Sequence, residues 1–438
     1  MRKEKIGVYW FTNDLRLNDN ALLDRAAREV DKLICLFCLP PFSEYLQHFT
    51  SESKFGDARQ RFLIQTLNGL DESLAEYGQH LVVVDAHPFS ALSHLCSEDA
   101  ITHLYCQDFV SSDEQLVIEH IRAYFPRVKI TQLQQSTLFQ QSDLPFALEA
   151  LPSSFTKFRK QVETMVPSQV TSEIFQLPRP AKHTLNTTVL PGLVISSEDL
   201  FIGGESFALA HAMCYFSTSF ASNYKQTRNE LDGKEYSTKF SPWLANGSIS
   251  VRQVMEMLTQ YEKRNGSNES TYWIYFELQW REYFHWYALK FGKKLFRFSG
   301  AKGKAPLATF YPQRFKQWKI GATAFPLVNA CMKQLNQTGY MSNRGRQLVA
   351  SCLIHELGID WRYGAAYFET QLIDYDVASN WGNWQYIAGV GASNMPRRFD
   401  QAKQAMLYDP EGKFVRCWKG DSDLGTDSVD MVDWPIRA

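Results

Sequence analysis

Over the first 135 residues, short apolar runs alternate with amphipathic stretches. "IGVYWF", "KLICLFCL", "HLVVVD", "THLYCQ" and "VKITQL" have strand length and are rich in β-branched and aromatic residues. Between them, "NDNALLDRAAREV" and "DARQRFLIQTLNGLDESLAEYG" space their apolar residues as a helix with one buried face does. This alternation predicts an α/β domain over 1–135, Rossmann-like, with a parallel sheet covered by helices. From 136 to 200 the periodicity decays through "LPFALEALPSSFTKFRKQVE" into the Pro, Thr and Ser of "LPRPAKHTLNTTVLPG", which reads as an inter-domain connector, helical near "SSFTKFRKQVE". From 201 to 438 the pattern is helical and strand-type alternation does not return, so the second domain is expected to be all-α.

Composition narrows the class. A chain of 438 residues exceeds one ordinary core, which fits two or three domains. With 45% apolar and 21% charged residues it is an ordinary globular chain, and its net charge of -1 means that attraction to a polyanion must come from a local patch. Of the 8 cysteines, Cys35 and Cys38 form a CxxC inside a strand-like run with no second pair. Buried thiols in a reducing cytoplasm are expected, with no metal or iron-sulfur site. The N-terminus turns polar at "TNDLR" and no apolar run reaches the ~18 residues of a span, so no signal peptide or membrane helix is expected.

The chemistry concentrates in the helical half. No GxGxxG follows the first strand, so a dinucleotide fingerprint is missing there. "YSTKFSPWLANGSIS" offers Ser237, Thr238, Lys239, Phe240 and Ser241 ahead of Pro242; Ser241 is expected as N-cap with Pro242 at the first helical position. Hydroxyls, free N–H groups and a lysine at a helix start suit a phosphate, although a plain capped helix has the same pattern. In "STYWIYFELQWREYFHWYALKFG" a helix would place Trp273, Glu277, Trp280 and Phe284 on one face, with Glu277 and Arg281 as an i,i+4 pair. This is either a buried helix with one ion pair or the wall of a cavity for a flat, polar ligand.

From Tyr283 to His355 there is no Asp or Glu but there are twelve Lys or Arg, where the chain's share of 47 acids in 438 residues would place about eight. Such a tract, interleaved with aromatics, has the electrostatics of a polyanion-binding surface. In "TGYMSNRGRQLVASCLIHELG", helical from about Ser342 to a stop at Gly358, Asn343, Arg346 and Gln347 share a face. "LIDYDVASNWGNWQYIAGVG" then supplies Asp374, Asp376, Asn380, Trp381 and Trp384, and Asp374 with Arg346 is the expected buried ion pair.

At these residues the sequence resembles the photolyase/cryptochrome flavoprotein family, and its DASH branch most. "WFTNDLRLNDN" resembles the family's N-terminal signature, "NYKQTRNELDGKEYSTKFSPWLANGSIS" its flavin-phosphate segment, "ELQWREYF" its cavity helix, and "TGYMSNRGRQ" with the Asp374 to Trp384 stretch its flavin core. The connector "DLPFALEALPSSFTKFRK" is similar to the DASH one. The resemblance spans nearly the whole chain.

It implies a helical domain holding bent FAD. Tyr224 and Ser237 through Ser241 would hold the phosphates and ribityl side, while Arg281, Asn343, Arg346, Asp374, Asp376 and Asn380 would surround the ring system. Asn380 matches the residue facing flavin N5, and Trp384 and Trp361 match the first two electron carriers. The position of the third is Ala308, which leaves Tyr311 or Trp318 as substitutes. Glu277, Trp280 and Asn343 match contacts to a cyclobutane pyrimidine dimer; Ser342 and Asn343 stand where a (6-4) enzyme carries His-His, which disfavours that lesion. Tyr386 and Gln347 fit the DASH pattern, with Arg344 and Arg397 as further DNA contacts.

The resemblance thus implies blue-light repair of dimers in single-stranded or looped DNA by a cytoplasmic monomer, with RNA a further candidate partner. The alternatives are a duplex-active dimer photolyase and a photoreceptor signalling through a partner; the chain ends in the short acidic "GDSDLGTDSVDMVDWPIRA", not in an extended tail. A 5,10-methenyltetrahydrofolate antenna would use Asp113, the position aligned with the branch's usual Glu, or Glu149 in the connector.

Overall fold

The computed structural model describes residues 4–97, 101–170, 176–196, 199–233, 235–393 and 395–422. All five expected strands form: β1 (Ile6–Phe11), β2 (Lys32–Cys38), β3 (Leu81–Val84), β4 (Ile101–Gln107) and β5 (Lys129–Leu133). They are parallel in the order β3-β2-β1-β4-β5, with Val8 of β1 opposite Ile34 of β2 on one side and Leu104 of β4 on the other. A two-residue β6 (Arg179–Pro180) joins β2 at Lys32 and Leu33, before the register of β3 begins at Cys35.

Helices cover both faces, which explains near-continuous apolar strands. Val8, Trp10, Ile34, Leu36 and Cys38 lie in one core layer; Tyr9, Phe11, Leu33, Cys35 and Phe37 lie in the other. Cys35 and Cys38, three positions apart on a strand of period two, therefore point to opposite faces and cannot meet. Burial alone pushes Cys38 up to about 12.

The stretch read as a connector packs on both sides. Leu138, Phe139, Leu151, Phe155 and Phe158 join the core of the helical half, the last two from the helix Phe155–Val162, while β6 extends the sheet. Residues 171–175 and 197–198 of it fall outside the described set.

The polar "WFTNDLRLND" segment clasps the two halves. Asp14 and Asn20 accept from the Tyr9 hydroxyl at 2.6 and 2.9 Å, and Arg16 donates to the carbonyls of Gly247 and Asp19 at 2.9 Å each. Arg252 of the helical half pairs with Asp19 at 2.9 Å, both side chains almost wholly buried, and Glu205 accepts from the Leu17 and Asn18 amides at 2.8 and 2.9 Å. Gly247 sits at φ 75, where an added Cβ would stand 2.0 Å from the Asn13 carbonyl oxygen, so this contact admits only glycine.

The helical half is built around Glu269–Phe291, opened by a capping box of Asn268 and Thr271. Against it lie Phe220–Thr227 and Val377–Ala388, the latter also packed on Trp361–Gln371. Asn343–Ser351 starts where the helix was expected to begin, with Ser342 as its N-cap, then widens into a π-helical turn at Cys352–Glu356 before Gly358. Ser241 is not an N-cap: it is the first residue of the short helix Ser241–Asn246, with Phe240 in the cap position. No helix among the described residues is long and apolar enough to cross a membrane.

Candidate functional site

A cavity of about 970 Å³, its mouth included, opens within the helical half. Helical periodicity builds two of its walls: Asp376, Ser379, Asn380, Asn383, Trp384 and Ile387 recur along one face of Val377–Ala388 and its cap, and Asn343, Arg346, Gln347 and Ala350 along one face of Asn343–Ser351. Ser237 through Ser241 form a third side.

Arg346 and Asp374 pair as expected, Nη2 to Oδ2 at 2.7 Å, and Arg346 Nε donates to the Met341 carbonyl at 2.9 Å. The nearby carboxylate of Asp374 holds the Arg346 guanidinium above its ordinary range. The other oxygen, Asp374 Oδ1, is buried with no partner among the described residues. A buried acceptor left open beside a cavity wants an N–H donor from a ligand, which a flavin ring edge supplies. Asn380 is fixed by an Nδ2–H donated to the Ala365 carbonyl at 3.0 Å, and Asp376 caps its helix through the Ser379 amide at 2.7 Å. The donor set and the open acceptor fit the isoalloxazine that the resemblance implied.

Ser237 and Lys239 have φ of 70 and 52, in the left-handed region that side chains rarely adopt. Strain of this kind persists where the surroundings enforce it, and alternating backbone turns its N–H groups into an anion cradle. The Lys239 ammonium faces away from this role: it donates to the carbonyls of Gly233 and Tyr236, and burial lowers it to about 8. The groups left here to meet an anion are thus amides and hydroxyls.

Several expected site residues lie outside this wall. Arg281 does not pair with Glu277; its guanidinium donates to the Ser136 and Leu244 carbonyls, tying the connector to the helical half. Glu277 pairs with Arg228, which also stacks on Trp273 at 4.5 Å. Burial raises the Glu277 carboxyl and Arg228 opposes the rise. Tyr224 is buried in its helix outside the cavity wall. Trp280 stacks on Phe155 at 3.8 Å and meets Tyr386 edge-on at 5.8 Å, and Arg397 covers Tyr386 at 5.3 Å. These form one aromatic-cationic column, with Arg397 exposed. Arg344 donates to Asn229 at 3.3 Å and lies over Tyr408 at 4.8 Å, whereas Gln347 faces the cavity.

The acid-free tract is only partly a surface. Lys290 donates to the Leu151 carbonyl, Lys319 to Thr50 and Glu52, Lys333 to Lys419 and Ser422, Arg346 to Asp374, and Arg314 is 1% exposed. Lys293, Lys294, Arg297, Lys302, Lys304 and Lys316 are exposed, though Lys302 also donates to the Gly389 carbonyl. Backbone carbonyls, invisible to a charge count, bind much of the excess.

Trp384 packs against Gly364, one turn after Trp361, so closely that a Cβ on Gly364 would stand 2.1 Å from it. Trp384 also meets Trp318 edge-on at 6.3 Å. Trp318 is 0% exposed, so it does not supply a surface end, and Tyr311 carries Arg314 on its ring at 4.8 Å. Ala308 precedes the Thr309 bridge to Ile359, beside the start of the Trp361 helix, with no indole to fill the position.

Asp113 and Glu149, the residues expected to serve a folate antenna, are both exposed. The neighbouring Glu114 is raised by burial, has a buried Oε2 with no partner among the described residues, and is close enough to raise Glu369 of the helical half. Helix register places Glu114 on the inward side with Val117, Ile118 and Ile121, and Asp113 outward.

Known proteins resemble this chain across both halves. The family described as DNA photolyase matches residues 7–179, and that described as FAD binding domain of DNA photolyase matches 273–421. A Vibrio parahaemolyticus protein named Cryptochrome DASH is 52% identical over 99% of this chain and 98% of its own length, and its Idiomarina loihiensis counterpart is 48% identical over 100% and 98%. The crystal structure of a Synechocystis cryptochrome superposes with a TM-score of 0.87 at 37% identity, covering 95% of this chain and 89% of that one. A class III photolyase from Agrobacterium tumefaciens gives 0.80 at 25%, covering 95% and 87%.

Proposed function

Because the chain belongs to the photolyase/cryptochrome family, in its Cryptochrome DASH branch, and FAD is the cofactor of its helical domain, we propose that it repairs cyclobutane pyrimidine dimers in single-stranded or looped DNA under blue light. When bound, reduced FAD supplies a photoexcited electron donor. The observation that carries the reading is the cavity wall, where Asp374 holds Arg346 at 2.7 Å and keeps a second oxygen open. The Arg346 cation would offset the negative charge of a reduced ring, and Asn380 would present its carbonyl oxygen to the ring edge.

At the substrate side, Glu277 would hydrogen-bond the dimer, with its protonation balanced between burial and Arg228. Trp280, Tyr386 and Arg397 would stack on flipped bases and grip the strand. Extruding a dimer from duplex costs a few kcal/mol, which single strands avoid. Where a tryptophan would offer more stacking surface, this chain has Tyr386, so single strands are the substrate it handles best. A folate antenna, on this reading, belongs with Glu114. Free cysteines throughout suit a cytoplasmic protein.

Dimer loss on matched single-stranded and duplex oligonucleotides, lit and dark, tests the proposal: light-dependent loss on single strands is expected, while binding without turnover would point to a photoreceptor instead. Glu277→Ala is expected to lower repair about tenfold or more with FAD still bound. Unchanged repair would remove its role.

A further inference from the structure

Ala308 leaves the electron route without its usual surface end, and Trp318 is buried. A different indole stands in a setting suited to that task. Trp381 lies edge-on to Trp361, ring centroids 5.8 Å apart, and 6.0 Å from Tyr45, which is 37% exposed. Its Nε1–H points to Glu369 Oε2 at 3.2 Å and to the Tyr375 hydroxyl at 3.3 Å. Trp361 and Trp318 instead donate to the backbone carbonyls of Phe298 and Val349, at 3.1 and 3.0 Å. The difference is chemical. An indole that loses an electron becomes a strong N–H acid; an amide carbonyl cannot keep the proton, and a carboxylate can.

We propose that Trp381 is the terminal electron donor of this chain, with Glu369 as the acceptor of its indole proton and Tyr45 as the outlet to solvent. The inference rests on the reading of Trp384 and Trp361 as electron relays. One electron drawn from Trp384 by the photoexcited, oxidised flavin is replaced from Trp361, and that one from Trp381. Trp381 then gives its Nε1 proton to Glu369 Oε2, leaving a neutral indolyl radical beside a neutral carboxylic acid. An external thiol, acting through Tyr45, returns one electron and becomes a thiyl radical as its own proton passes to solvent, and Glu369 returns the indole proton. Loss of the proton traps the hole, because back-transfer must recover it. Burial and the nearby Glu114 raise the proton affinity of Glu369, while the Tyr375 hydroxyl, Arg59 and the Trp381 N–H oppose the rise. The Trp384–Trp318 branch ends among buried rings and a carbonyl, with no such trap.

Flash photolysis of the FAD-loaded full chain, read by transient absorption and EPR, tests this. The wild type is expected to yield a neutral tryptophanyl radical whose formation slows in D2O. Glu369→Gln should leave the cation form and shorten the charge-separated state about tenfold. Trp381→Phe should remove the deprotonated species, and Tyr45→Phe should keep the radical but slow its re-reduction by added thiol. Light-minus-dark infrared spectra of the unmutated protein should gain a carboxylic-acid C=O band, a readout that needs no variant to fold. A cationic wild-type radical without that band overturns the inference, as do Trp381→Phe and Glu369→Gln proteins with wild-type signals. Trp384→Phe separates the two readings: if it abolishes the flash signal while Trp381→Phe does not, only the branch fails; if it changes nothing, the relay reading itself fails.

Discussion

Single side chains in this protein are set by the partners that burial denies or grants them. Glu282 is wholly buried; it accepts from the Leu138 and Phe139 amides at 2.8 and 3.3 Å and from Trp286 Nε1 at 3.0 Å. Desolvation still outweighs those donors and raises it from 4.5 to about 7. The folded state therefore keeps the proton where the unfolded chain has lost it. The resulting stability is full below about 4.5 and falls as pH rises toward about 7, by on the order of 3 kcal/mol. Denaturant midpoints over that window, at fixed FAD, should decline more steeply in wild type than in Glu282→Gln; parallel slopes would show that Glu282 does not titrate there. The same logic governs Asp374, whose open oxygen is tolerable only if a ligand donor reaches it.

Between elements, glycines fix how near the cavity walls stand. A methyl on Gly364 would collide with Trp384 at 2.1 Å and with Leu353 at 2.6 Å, and one on Gly382 with Phe284 at 2.4 Å. Gly364→Ala must therefore push Trp361–Gln371 off Val377–Ala388, at a cost of about 1–3 kcal/mol, and turn the Trp384 indole in the cavity wall. A lowered Tm together with weaker FAD retention is expected. Loss of stability with full FAD affinity would mean that the wall absorbs the shift elsewhere.

Over the whole molecule, the buried Asp19–Arg252 pair is one charged link between the halves, beside the more exposed Lys319–Glu52 pair. Removing Asp19 leaves the buried Arg252 cation without its carboxylate, whereas Asp19 keeps Arg16 nearby when Arg252 is removed, so Asp19→Ala should cost about 3–5 kcal/mol, Arg252→Ala less, and the double variant less than their sum. Additive losses in denaturant unfolding would deny the coupling. The surface electrostatics also have a limit. With Lys293, Lys294, Arg297, Lys302, Lys304 and Lys316 the exposed cations of the tract and Arg397 beside Tyr386, single-strand binding should lose affinity with salt at a logarithmic slope no steeper than about −5. A steeper titration would place the strand on other charges as well.

What the chain alone determined is what local spacing encodes. Period-two and period-3.6 patterns located the five strands, the long Glu269–Phe291 helix and the faces that bring Asn343, Arg346 and Gln347, or Asp376, Asn380 and Trp384, to one side. The Arg346–Asp374 pair was legible because two charges in an aromatic setting have few other ways to be neutralised. Tertiary structure decided everything that depends on residues distant in sequence. Glu277 found Arg228 instead of its i,i+4 neighbour, Arg281 and Lys239 turned to backbone carbonyls, Glu114 faced inward in place of Asp113, and Trp381 met a carboxylate. Partner choice at long range is a competition among every buried donor and acceptor at once, and periodicity carries no record of it.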